Sequence, residues 1–194
     1  MIPIKPMLAV SGKIFSSRDW IFEPKIDGTR CIAHVLNGTV ELQNRRFRSM
    51  GSRYPEIIKA LKESASDCLL DGEMAVFSNG VPNFSSLAVR DQQVDKIRID
   101  YLSKEMPASY IVFDILYKGQ DNLMNLPLVE RKSTLQQELD ETDSITIIDY
   151  FQGVAKPTSK RLLEWVWKVL WPRDWLQLIG LGSGAEIGSR LRNA

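Results

Sequence analysis

The stretch "CIAHVLNGTVELQN", Cys31 to Asn44, decides the fold class. Two runs that alternate apolar and polar residues flank the pair Asn37-Gly38. Asn-Gly tolerates positive φ at both central positions of a tight turn, so the stretch predicts a β-hairpin. Working outward, "WIFEPKID" (Trp20 to Asp27) is apolar and bounded by turn formers, which predicts a strand. "YPEIIKALKES" (Tyr54 to Ser64) puts Ile57, Ile58 and Leu61 on one face, with Pro55 at the start and Glu56 in the first turn, and predicts a helix. "CLLDGEMAVF" (Cys68 to Phe77) and "YIVFDILY" (Tyr110 to Tyr117) are too hydrophobic to be half exposed and predict buried strands. "LPLVERKSTLQQELD" (Leu126 to Asp140) predicts a second amphipathic helix, and "SITIIDYF" (Ser144 to Phe151) a further strand. A mostly antiparallel sheet with flanking helices is the α+β class.

The totals narrow the setting. The chain has 194 residues, 44% of them hydrophobic and 25% charged, with a net charge of +1. That composition is that of an ordinary globular protein, and the charge sum is silent about any local basic face. Cys31 and Cys68 form no disulfide framework, which favours a reducing cytoplasm. The opening "MIPIKPMLAV" is interrupted by Pro3 and Pro6 and is not a signal peptide. One His and two distant Cys cannot build a zinc site, and His34 reads as a structural residue of the hairpin.

"EPKIDGTR" contains K-x-D-G-x-R as Lys25, Asp27, Gly28 and Arg30. As bare chemistry this is an amine nucleophile at a strand end, a carboxylate two residues on, a glycine that permits a tight turn, and a fork of donors suited to phosphate. Asp71-Gly72-Glu73 reads as an acidic turn between apolar runs, and Phe113 beside Asp114, taken alone, as a core residue. Arg45, Arg46, Arg48 and Arg53 cluster in "LQNRRFRSMGSRYPEI", a composition suited to a phosphate backbone.

In this order, from the "PMLA" segment ahead of the lysine motif to the strand around Phe113, these elements resemble the ATP-dependent DNA ligases and RNA capping enzymes. The likeness is greatest to the ligase domain of prokaryotic end-joining DNA ligases, and it covers roughly residues 5 to 151. The resemblance implies the nucleotidyltransferase fold of that superfamily. It implies that Lys25 attacks the α-phosphate of ATP to form a lysyl–AMP, and that AMP then passes to a 5′-phosphate at a nick in double-stranded DNA, which is sealed. Glu23 matches a position that helps select adenine, and Arg30 one that contacts the sugar and phosphate side. Arg45 matches the arginine of an "SRN" motif, altered here to "NRR". Glu73 matches the carboxylate that holds the ribose and assists magnesium, and Phe113 the aromatic that stacks on adenine. The implied setting is a cytoplasmic monomer, off the membrane, acting in DNA repair with end-joining proteins. RNA ligases and capping guanylyltransferases share K-x-D-G and D-G-E, but "PMLA" and "NLPLVERK" favour DNA ligase.

The expected domain is residues 1–152, C-terminally incomplete, with an aberrant tail over 153–194 and no room for the OB-fold domain of the family. Two family motifs, resembling "GLEGVVAKR" and "RDWLKIK", are not readable. In their place stands "LEWVWKVLWPRDW", Leu163 to Trp175, with Trp165, Trp167, Trp171 and Trp175. Lys168, Pro172, Arg173 and Asp174 rule out a transmembrane helix there. Tryptophan has a single codon, so reading from each third base forces Gly at Trp165–Val166, Glu at Trp167–Lys168, Ala at Trp171–Pro172 and Leu at Asp174–Trp175. Those residues fall at their positions in a shifted-frame "GLEGVVAKRL". A frameshift between about residues 151 and 163 therefore explains the tryptophans, and predicts a chain with impaired or absent activity, an inactive ligase remnant at the limit.

Overall fold

The structure is a computed structural model that describes residues 4–10 and 17–152; the tryptophan-rich stretch and the tail expected over 153–194 lie outside the described residues. The elements run β1 (Ile21–Phe22), β2 (Thr29–Leu36), β3 (Thr39–Asn44), a 3-10 turn (Gly51–Arg53), α1 (Pro55–Ser64), β4 (Cys68–Ser78), β5 (Val81–Pro82) and α2 (Phe84–Asp91). They continue with α3 (Lys96–Glu105), β6 (Ala108–Lys118), β7 (Asp121–Asn122), α4 (Leu128–Glu138), β8 (Ile145–Ile147) and β9 (Phe151–Gln152). The described residues fall into two compact units, one of residues 4–7 and 26–148, the other of residues 8–10, 17–25 and 149–152.

In the first unit the hairpin forms as its sequence demands. Asn37 and Gly38 both take positive φ, 49° and 70°, and β2 pairs β3 from Cys31↔Asn44 to Leu36↔Thr39. The sheet order is β3-β2-β4-β6-β7, with β5 added on β4 and β8 on β6. All its ladders are antiparallel except β6–β8. This is the expected α+β architecture.

Paired residues project to the same side of a sheet, so register separates two faces. Cys31, Ala33 and Val35 share one face with Leu42, Leu70, Met74, Val112 and Ile115, and α1 and α4 cover it through Ile57, Leu61, Leu135 and Leu139. Each fully buried Leu or Ile there stabilises the fold by roughly 1.5–3 kcal/mol. On the opposite face Ile32, Leu69 and Leu116 form a smaller apolar cluster with Ile4 and Tyr117, and the charged residues of the motifs stand beside it.

Three expectations change. Asp71-Gly72-Glu73 is not a turn; it lies in the buried middle of β4. The strands expected from "WIFEPKID" and "SITIIDYF" shorten and divide: β1 pairs β9 in the second unit, while β8 joins the sheet of the first. Among the described residues four α-helices form rather than two, the additional pair being α2 and α3, N-capped by the side chains of Asn83 and Asp95. In the second unit the Gln152 amide also donates to the Arg18 carbonyl at 3.1 Å. Among the described residues no helix is long and apolar enough to cross a membrane.

Candidate active site

The site is built on the middle of β2, β4 and β6. Arg30 stands opposite Glu73, which stands opposite Ile111; one step along, Ile32 stands opposite Asp71, and Asp71 opposite Asp114. Between Asp71 and Gly72 the β4–β6 ladder shifts register, so that Gly72 meets Val112 and Phe113 is left as the extra residue of a β-bulge. A bulge re-aims a side chain that would otherwise alternate away. Here the Phe113 ring carries the Arg30 guanidinium, whose central carbon sits 4.4 Å from the ring centroid.

That guanidinium is forked onto Asp71: Nε donates to Oδ1, and Nη2 to Oδ2 at 2.5 Å. A second fork lies beside it, with Arg131 of α4 donating to both oxygens of Asp114 at 2.8 and 3.1 Å. Arg30, Asp71, Glu73, Phe113 and Asp114 are all less than one-tenth exposed. Bidentate arginine–carboxylate geometry in such burial fixes both partners in orientation.

Two glycines make this approach possible, and neither does so by a positive φ. A Cβ on Gly28 would lie 2.2 Å from the Met74 carbonyl oxygen and 2.9 Å from Cγ of Glu73. The K-x-D-G glycine therefore serves close approach to β4, rather than the tight turn expected of it. A Cβ on Gly72 would lie 2.5 Å from the Tyr110 ring. That ring crosses β4 beneath Gly72, and its hydroxyl donates to the Cys31 and Leu70 carbonyls at 3.1 and 3.2 Å.

Of the residues singled out in the sequence, Arg30, Glu73 and Phe113 come together on this ladder. Arg45 lies instead in the exposed turn after β3, where the Asn44 side chain accepts from the Arg46 and Arg48 amides at 2.9 and 3.1 Å. Glu23 and Lys25 belong to the second unit, Glu23 buried and Lys25 exposed. Sequence reasoning assigned no role to Asp71, Asp114 or Arg131. For Asp71 a signal existed: two residues before Glu73, it must project to the same side of a strand. Burial pushes the Cys31 thiol well up and that of Cys68 up to about 12, so neither offers a thiolate at neutral pH.

Comparison with known proteins identifies the family. The family model described as "ATP dependent DNA ligase domain" matches residues 6–169. DNA ligase C of Mycobacterium tuberculosis is 35% identical over 136 residues, 70% of this chain and 37% of that protein. The DNA ligase of Methanococcus aeolicus is 34% identical over 172 residues, 84% of this chain and 30% of its own length. The chain thus spans about a third of the curated relatives it matches. Among solved structures, mycobacterial DNA ligase D complexed with ATP and MES is similar with a TM-score of 0.59 and 25% identity, over 77% of this chain and 47% of that one. The ligase domain of M. tuberculosis LigD has the same TM-score at 24% identity, over 77% and 46% of the two chains. The chain belongs to the ATP-dependent DNA ligases, an enzyme family, and carries the fold of their adenylation domain.

Proposed function

We propose that this chain carries the nucleotide site of an ATP-dependent DNA ligase, with Lys25 as its nucleophile. The supporting observation is the convergence of three separated motifs on one ladder, which brings Arg30, Glu73 and Phe113 together on neighbouring strands. In the proposed first step the neutral Lys25 amine attacks the α-phosphorus of ATP: an N–P bond forms, the bond to the bridging oxygen breaks, pyrophosphate leaves and the amine loses its proton. Phe113 takes the adenine face, with stacking worth about 1–3 kcal/mol by analogy with other base–aromatic pairs. Arg30 takes the sugar and phosphate side, Glu73 the ribose and Glu23 the adenine edge, and Arg45, the arginine of the altered motif, also contacts the nucleotide. AMP then moves from Lys25 to the 5′-phosphate of nicked double-stranded DNA, and the 3′-hydroxyl displaces it.

Magnesium would neutralise charge on the phosphates. Among the described residues no three His, Cys, Asp or Glu form a metal cage. Magnesium bound by one or two carboxylates and substrate oxygens needs none. Glu73, which matches the family carboxylate, would take the metal role.

We assign residues 1–152 to the adenylation domain and 153–194 to out-of-frame translation, although the family match continues to residue 169. Without the two lysine-bearing motifs, ATP binding is weak and complete nick sealing is lost. End-joining proteins as partners, a monomeric state and a cytoplasmic location complete the proposal.

Incubation with α-labelled ATP, and with GTP for comparison, tests it. A covalent AMP adduct on the Lys25 peptide is expected from the frame-corrected coding sequence, and little or none from the 194-residue chain. Absence of an adduct from both, or a preference for GTP, defeats the assignment. Coding DNA whose shifted frame does not spell "GLEG-VAKR" defeats the account of the tail.

A further inference from the structure

A polar relay on the core side of the sheet ends on Thr29, the residue between Gly28 and Arg30. The Thr29 hydroxyl donates to Asp91 Oδ2 at 2.9 Å, and the Tyr54 hydroxyl donates to Asp91 Oδ1 at 2.7 Å. Asp91 closes α2, and the residue before it locks that end in place. Arg90 is 1% exposed and lies under the Tyr54 ring, with its guanidinium carbon 5.1 Å from the centroid. It donates to the carbonyls of Arg53, Leu102 and Met106 at 2.6, 3.0 and 2.8 Å, and pairs with Glu56 at 2.8 Å. Glu56 in turn accepts from the Ala108 amide at 3.1 Å. Asp91 is therefore held by α1, α3 and the start of β6 together, and it offers a fixed acceptor to β2.

Thr29 is the first residue of β2, paired with Met74, and Asp27 two residues earlier is exposed. Strand ends fray unless they are tied down. Neighbours along a strand point to opposite faces, so a hydroxyl fixed on the core side sets the origin from which Arg30 leaves on the other. We propose that Asp91 is a positioning residue for the nucleotide site: by holding Thr29 it fixes the start of β2, and so keeps the Arg30 guanidinium over Phe113. The proposal rests on the assignment of Arg30 and Phe113 to the nucleotide.

Four variants of the full chain decide it: Thr29→Val, Thr29→Ser, Tyr54→Phe and Asp91→Asn. The first readout is the Arg30 Nε–H resonance, assigned by its loss in Arg30→Lys, shifted by the Phe113 ring and protected by Asp71. The second is the dissociation constant for ATP, and the third the urea midpoint. Thr29→Val should move the Arg30 resonance and weaken ATP binding about threefold to tenfold, the loss of one hydrogen bond to a charged acceptor. Thr29→Ser should restore both. Tyr54→Phe, which keeps the Thr29 bond, should lower the urea midpoint and leave the resonance in place. Asp91→Asn, with one acceptor oxygen, should fall between wild type and Thr29→Val. An unmoved resonance in Thr29→Val overturns the proposal, as do effects that follow stability equally in Thr29→Val and Tyr54→Phe. If the wild-type chain binds no ATP, the nucleotide assignment fails for this chain, while the resonance still decides whether Asp91 positions Arg30.

Discussion

The Arg30 guanidinium covers a face of the Phe113 ring at 4.4 Å, so two side chains expected to meet a nucleotide meet each other. Phe113 is 2% exposed, so a base stacks on the ring only where the packing over it opens or the guanidinium is displaced. Displacement costs a cation–π contact, worth about 2 kcal/mol when desolvated. The Asp71 fork makes it costlier, because the arginine would leave a buried carboxylate unpaired.

The fork makes Asp71 a stability residue as well. Asp71→Asn leaves a buried guanidinium without its counter-charge, and breaking one side of a buried pair costs about 3–5 kcal/mol. Urea unfolding of the two proteins measures this directly. A loss below about 1 kcal/mol would mean that solvent reaches the pair.

The two motif glycines should fail differently. Gly72→Ala drives a methyl into the Tyr110 ring and the Ile111 carbonyl at the centre of the sheet, where overpacking costs about 1–3 kcal/mol or more. Gly28→Ala drives a methyl against the Met74 carbonyl oxygen just before β2, beside the Thr29–Asp91 hydrogen bond, so the backbone there must shift. The expected outcome is a lowered melting temperature for Gly72→Ala. In the frame-corrected protein, Gly28→Ala should lower the melting temperature less than Gly72→Ala does, while AMP uptake should be lost. The reverse pattern would refute the assignment of Gly28 to close approach.

The fold was legible where one period ruled. The Asn37-Gly38 hairpin, α1 and the long strands β4 and β6 follow from turn chemistry and apolar runs. Helix α3 did not, because Ile97 and Ile99 are two residues apart, a strand spacing; in the helix Ile99 is buried while Ile97 is 81% exposed. Its real signal was the Asp95 cap. For α2 the obstacle was Arg90, a charged residue at a core position, where its two terminal nitrogens find four acceptors. At the site, the motifs named Arg30, Glu73 and Phe113, but a bulge leaves no trace in residue types. The step that turns Phe113 toward Arg30 could therefore not be read in advance.

His34 is the chain's one histidine, so it isolates a pH effect. Burial lowers its pKa below the usual 6.5, against the opposing pull of Glu41, and its Nε2 is buried without a partner among the described residues. Since the unfolded chain takes the proton more readily, stability is complete above the unfolded value and falls as pH drops through 6.5 towards the folded one. The slope cannot exceed about 1.4 kcal/mol per pH unit, the limit for one proton. Urea midpoints between about pH 7.5 and pH 5.5 should decline for the wild type and stay level for His34→Gln. Parallel declines would assign the slope to other groups.

The turn after β3 offers the last test, because its charge and its strain can be separated. Arg45, Arg46 and Arg48 are exposed there around Phe47, which is 49% exposed and holds φ at 61°. A left-handed conformation costs an L-residue about 1–2 kcal/mol, so Phe47→Gly should raise the melting temperature. It leaves the three charges in place, so the salt dependence of binding to nicked DNA should not change. Replacing the arginines with alanine should do the opposite: stability stays level, while the slope of log affinity against log salt falls by about one for each phosphate contact removed. An unchanged slope in the triple variant would show that this turn does not meet the DNA backbone.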